Sequence, residues 1–119
     1  MTYKDLHLFL AKLPGATLSV QWGEAHVFKI GGKMFAVLSG PPDGEPRSFS
    51  FKASDESFEI LINLDGIIPA PYLARAKWVR FDKPQRLPTP ELKAYLTRAR
   101  TLVAANLPKK KQKELGLTS

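Results

Sequence analysis

Apolar residues change their spacing twice along this chain. Leu6, Phe9, Leu10 and Leu13 recur at i, i+3, i+4 and i+7, one stripe of an α-helical repeat, which predicts an amphipathic helix over residues 2–13. Thr2, with Asp5 three residues on, resembles a capping box in which Asp stands in for Glu. Pro14-Gly15 stops the helix.

The period then shortens. Thr17–Trp22, His26–Ile30, Lys33–Leu38 and Ser48–Lys52 are short runs rich in β-branched and aromatic residues, separated by Gly23-Glu24, Gly31-Gly32 and the stretch 40–47. They read as an antiparallel meander. Gly31-Gly32 is a two-residue hairpin signal, because glycine takes the positive φ such turns require. That turn pairs Ile30 with Lys33 and Phe28 with Phe35, sets Lys29 opposite Met34, and puts Phe28, Phe35 and Val37 on one face. GPPDGEPR (40–47), with its three prolines, reads as an exposed, irregular connection.

A second helix is predicted from an N-cap at Ser54, with Asp55 and Glu56 in its first turn, Phe58, Leu61, Ile62 and Leu64 inward, and Asp65-Gly66 at its end. Residues 67–76 read as irregular and Pro-rich, 77–82 as an alternating strand, and 83–88 as a turn. Thr89-Pro90-Glu91 has the form of a helix start, with Thr89 as N-cap. The stripe Leu92, Tyr95, Leu96, Ala99, Leu102, Val103 and Leu107 continues that helix, and Pro108 interrupts it. The closing KKKQKELGLTS adds a helical turn or runs on as a mobile tail. The expectation is an α+β fold, with an antiparallel sheet of about five strands and helices at the N-terminus, middle and C-terminus. No internal repeat or long linker divides the chain, so residues 1–119 are expected to form a single domain with a basic tail over 108–119.

With 119 residues, 44% of them apolar and 24% charged, the composition is that of a globular protein. No apolar run approaches the ~20 residues of a membrane span. The absence of Cys excludes disulfides and thiol chemistry. The N-terminus lacks the continuous apolar segment of a secretion signal, and a cytoplasmic location is expected. Charge is unevenly spread. Six basic and eight acidic residues fall within 1–74, whereas twelve basic residues and only Asp82 and Glu91 fall within 75–113. Such asymmetry speaks to partners, and a polyanion is the natural candidate.

Little points to catalysis or metal binding. His7 and His26 lie on different elements, no G-x-S-x-G occurs, and Asp55, Glu56 and Glu59 read as a solvated helix start. Gly31-Gly32-Lys33 precedes a strand rather than a helix and is not a phosphate loop. Arg75, Lys77, Arg80, Lys83 and Arg86 are interleaved with Tyr72, Trp78 and Phe81. If Trp78 and Phe81 are core residues, the cations are phosphate contacts without a stacking platform, which favours duplex binding of low specificity. Lys29 and Lys33 flank the hairpin tip, Lys93, Arg98 and Arg100 stud the late helix, and Lys109, Lys110, Lys111 and Lys113 form the basic tail.

VFKIGGKMFAVL (27–38), IPAPYLARAKWVRFD (68–82), the late helix with Tyr95, and LPKKKQKELG (107–116) together resemble the MmcQ/YjbR family of small bacterial proteins. The resemblance implies a compact CyaY-like (frataxin-like) or secretion-chaperone-like α+β arrangement. It also implies DNA binding through a double wing of projecting hairpins. One wing would be the Lys29–Lys33 hairpin; the second would be the strand-turn Lys77–Arg86 or the 40–47 loop, where Pro42, Asp43 and Glu45 argue against a DNA contact. The frataxin-like shape raises iron binding, but such sites need an acidic first helix, and here Asp5 is set against Lys4 and Lys12. No cofactor and no metal are expected.

Two further classes stand beside a DNA-binding, non-catalytic module: a protein-interaction or chaperone-like domain, and an enzyme with an unrecognised site. The expected partner is DNA, or alternatively a protein, with a monomer favoured and no membrane contact. The candidate nucleic-acid contacts are Lys29, Lys33, Arg75, Lys77, Arg80, Lys83, Arg86, Lys109, Lys110 and Lys111.

Overall fold

The structure, a computed structural model, describes residues 1–21, 25–39, 48–71 and 73–116. In chain order it contains α1 (Tyr3–Lys12), β1 (Ala16–Gln21), β2 (Ala25–Ile30), β3 (Lys33–Ser39), β4 (Ser48–Lys52), α2 (Asp55–Leu61), β5 (Ile67–Pro69), β6 (Trp78–Phe81), α3 (Thr89–Ala105) and α4 (Lys109–Glu114). The strands form one antiparallel sheet in the order β1-β2-β3-β4-β6-β5. This is the expected α+β architecture with one strand more. The additional strand, β5, falls in the Pro-rich stretch. It is three residues long and lies at the sheet edge, where Pro69 leaves no donor missing from an interior ladder.

Local signals set the helix starts. The Thr2 hydroxyl accepts from the Asp5 amide, and the Asp5 carboxylate accepts from the Thr2 amide, completing the capping box. The Ser54 hydroxyl accepts from the Ser57 amide. α2 ends earlier than the apolar pattern suggests, with Ile62 as C-cap, so Leu64 falls beyond the helix and is exposed. At the start of α3, Thr89 is already helical and its hydroxyl accepts from the Met1 amino group instead of capping. The basic tail folds as α4, braced by the Gln112 side-chain amide, which donates to the Leu107 carbonyl at 2.8 Å.

The β2–β3 hairpin departs from the expected register. Ile30 does face Lys33, and Lys29 faces Met34, but Phe28 faces Ala36 rather than Phe35. Phe35 is the extra residue of a β-bulge. Phe28 and Phe35 are both fully buried in the main core, and the bulge reverses the parity of the remainder of β3. Ala36 and Leu38 therefore point to the main core, and Val37 joins Val27 on the opposite face.

That core lies between the sheet and α1, α2 and α3, around Phe49, Phe51 and Phe81, whose ring centroids are 4.8–6.2 Å apart. The other face carries a smaller cluster of Ala25, Val27, Val37, Ala70 and Trp78, and no α-helix contributes to it. Phe81 and Trp78, one on each face, are both core residues. Trp22, Gly23-Glu24, the 40–47 loop, Tyr72 and residues 117–119 lie outside the described residues.

Candidate nucleic-acid interface

The expected cations fall in three places. The first is the end of the sheet at the Gly31-Gly32 turn. Gly31 has φ +58°, and a Cβ there would lie 2.6 Å from Leu107 Cδ1 and 3.2 Å from Leu115 Cδ1. The turn is thus docked on the two leucines that bracket α4. Lys33 opens β3 at this end, and Lys109, Lys110, Lys111 and Lys113 are all exposed along α4. The hairpin is not a free-standing wing. β2 and β3 are interior strands, flanked by β1 and β4, and the tip rests on the C-terminal segment.

The second place is the helix-free face of the sheet. Strand alternation puts Lys29 of β2 beside Met34 of β3, and Arg80 of β6 beside Ser50 of β4. Lys52, which is not among the expected contacts, faces Trp78 and donates through Nζ to the Ala76 carbonyl. Pairing Ser48–Lys52 with the strand that holds Trp78 is the step that brings it into view. Arg75 is exposed on the 3₁₀ turn Ala74–Ala76 that precedes β6. Lys77 departs from this group: it has φ +63°, and its Nζ lies 4.9 Å from the Phe58 ring centroid, toward α2.

The third place is the corner between β6 and α3. Here Lys83 is exposed, but Arg86 donates through Nε and an Nη nitrogen to the Asp82 carboxylate at 2.8 and 2.7 Å. That pairing holds the Asp82 carboxyl below the ordinary carboxylate range and raises the Arg86 guanidinium. It is the one ion pair among the described residues. Lys77–Arg86 does not form a second wing, because β6 runs through the 3₁₀ turn Pro84–Arg86 into α3. The other candidate wing, 40–47, lies outside the described residues. On α3, Lys93 covers the Phe9 ring and Arg100 donates to the Pro14 carbonyl at 2.9 Å, so both also hold the fold together.

His7 and His26, apart in sequence, meet across α1 and β2. No group of three or more potential metal ligands occurs among the described residues, and none of the helices described is long and apolar enough to cross a membrane.

Comparison with known proteins agrees with this architecture. A crystal structure of Deinococcus radiodurans protein DR2400, with domain DUF419, superposes with a TM-score of 0.84 at 27% identity, covering 98% of this chain and 89% of that one. A Pseudomonas syringae protein superposes with a TM-score of 0.67 at 20% identity, covering 86% of this chain and 98% of that one, and speaks for the fold alone. No curated protein matches the sequence. The model of the YjbR family matches residues 11–102, most of the chain though not the basic tail, and the chain belongs to that family.

Proposed function

We propose that this protein is a non-catalytic DNA-binding module that engages the phosphate backbone with little regard to sequence. The observation that carries the reading is the docking of the Gly31 turn between Leu107 and Leu115, which joins the hairpin end of the sheet to the lysine-rich α4. Lys33, Lys109, Lys110 and Lys111 form its centre. Lys29, Arg75 and Arg80 extend it along the helix-free face, and Lys83 and Arg86 at the corner, whereas Lys77, turned toward Phe58, lies apart from it. None of the lysines at the centre has an ion-pair partner among the described residues, so each is available to release a counterion from a phosphate. With Trp78 and Phe81 buried, neither offers a stacking platform, which favours a duplex. Family membership, the lack of Cys, and the absence of a metal-ligand cluster among the described residues are consistent with a protein that is not an enzyme.

Anisotropy of a labelled duplex across a salt series tests the reading. Each phosphate contact contributes a slope of about −0.9 in log K against log salt. The expected slope is about −3 to −4, reduced by about 2–3 when Lys109, Lys110 and Lys111 are changed together to Ala. Absence of binding at low salt, or a slope near zero, overturns it.

A second reading, a protein-interaction module, is favoured by β1. This edge strand carries no charge or proline, and Leu18 and Val20 are 45% and 59% exposed on it. A protein partner retained after nuclease treatment, and lost when Leu18 and Val20 are both changed to Lys, would favour that reading instead.

A further inference from the structure

The helix-free face of the sheet holds a small cavity of about 240 Å³ lined by both polar and apolar residues. The polar lining consists of Ser39, Ser48, Ser50 and Arg80. Sheet register assembles it: Ser39 faces Ser48 across β3 and β4, and Ser50 faces Arg80 across β4 and β6. Ser48 is 4% exposed, the one buried polar residue among those described. Arg80, by contrast, is exposed and has no hydrogen-bond or ion-pair partner among the described residues. Val37, which pairs with Ser50, and Leu73, both from the smaller apolar cluster, also line it.

We infer that this cavity is a binding site for a small organic carboxylate with a short apolar tail. The guanidinium presents paired donors in the geometry of a carboxylate, and serine hydroxyls complete the oxygen's hydrogen bonds. No second cation and no acid line the cavity among the described residues, so one bound negative charge balances the site and a phosphate dianion does not. A space of this size suits a short-chain acid rather than a long acyl chain. The inference goes beyond the DNA reading. It shares Arg80 with that reading, but it depends also on Ser50 and the apolar lining, which that reading does not use, and not on α4.

Titration of hexanoate into the full chain, followed by amide NMR shifts, tests it. Shifts are expected to saturate together at Val37, Ser50, Leu73 and Arg80. Affinity is expected to rise from acetate to hexanoate by up to about fourfold per added methylene. Arg80→Met is expected to weaken hexanoate at least tenfold and Ser50→Ala about threefold, on the order of a lost charged and a lost neutral hydrogen bond. The triple alanine change at Lys109, Lys110 and Lys111 should leave hexanoate binding unchanged while weakening duplex binding. The comparison of hexanoate with hexanamide on the unaltered protein needs no variant to fold. Equal binding of the amide, displacement by equimolar inorganic phosphate, shifts centred elsewhere, or sensitivity to the lysine triple change would each overturn the site.

Discussion

His7 Nε2 lies 3.2 Å from His26 Nδ1, joining α1 to the second strand of the sheet, and the His7 and Phe28 rings meet edge to face at a centroid distance of 5.1 Å. One ring must be neutral for the other to donate to it, so the contact cannot survive protonation of both. Burial holds the His7 imidazole below the ordinary histidine value of 6.5, and the neighbouring His26 adds to that effect. A base depressed in this way binds fewer protons in the folded chain than in the unfolded one, so stability rises with pH through that range. The stabilisation is fully present above 6.5 and is lost as pH falls below it. Thermal midpoints measured from pH 7.5 to 5 are expected to fall, and His7→Gln, which keeps a hydrogen-bonding group without the titration, should flatten the decline. An equal decline in the variant would assign the pH dependence to other groups.

The two glycines of the β2–β3 turn separate docking from backbone strain. Both have positive φ, +58° at Gly31 and +83° at Gly32. A Cβ at Gly32 meets nothing within 4 Å, whereas one at Gly31 strikes Leu107. Gly32→Ala is therefore expected to cost only the left-handed penalty, about 1–2 kcal/mol. Gly31→Ala carries the same penalty and also forces the buried Leu107 side chain to shift, so its cost should exceed that of Gly32→Ala by about 1 kcal/mol. Denaturant melts give the difference. Faster amide exchange in α4 of Gly31→Ala alone would locate the damage, and equal exchange in both variants would mean that α4 is held by other contacts.

The features legible from sequence are those in which cause and effect lie within a few residues. Thr2 and Asp5 announce their capping box, Ser54 its N-cap, and Gly31-Gly32 its turn. Features that depend on residues brought together by pairing are not legible in this way. The bulge at Phe35 sends Ala36 and Leu38 to the core and Val37 to the other face, which no period-two count of β3 alone can reveal. The meeting of His7 with His26 needs α1 laid across β2. The serine cluster needs the β3–β4 and β4–β6 registers at once. β5 is obscure for a different reason: three residues ending in a proline carry too little pattern to be distinguished from a loop. The candidate cations are all visible as charges, but their grouping is not. Only the fold shows that Lys77 turns toward Phe58 and that Arg86 is already matched by a carboxylate.

That carboxylate limits what Arg86 adds to DNA binding. A guanidinium held by two hydrogen bonds to Asp82 releases little when it meets a phosphate, because one ionic partner is exchanged for another. Arg86→Gln is expected to leave the salt slope of duplex binding unchanged within about 0.3, while Lys33→Ala reduces it by about 0.9. A drop of similar size for Arg86→Gln would mean that the Asp82 pairing opens on the DNA.

The bulge can be tested by removing a residue as well as by changing one. Phe35→Ala deletes a fully buried aromatic side chain and should cost about 3–5 kcal/mol. Deleting Phe35 outright removes the same side chain but joins Met34 directly to Ala36, and the pairs Lys29–Met34 and Phe28–Ala36 then succeed each other regularly. Ala36 and Leu38 stay on the core face and Val37 on the other, because the extra residue that separated the two registers is gone. The deletion is therefore expected to fold, with a stability within about 1–2 kcal/mol of Phe35→Ala. In a hairpin without the bulge, the same deletion would turn every later residue of β3 to the wrong face, expelling Leu38 from the core and unfolding the chain. Urea melts of the two variants, with amide NMR to confirm that Phe28 still pairs with Ala36, distinguish these outcomes.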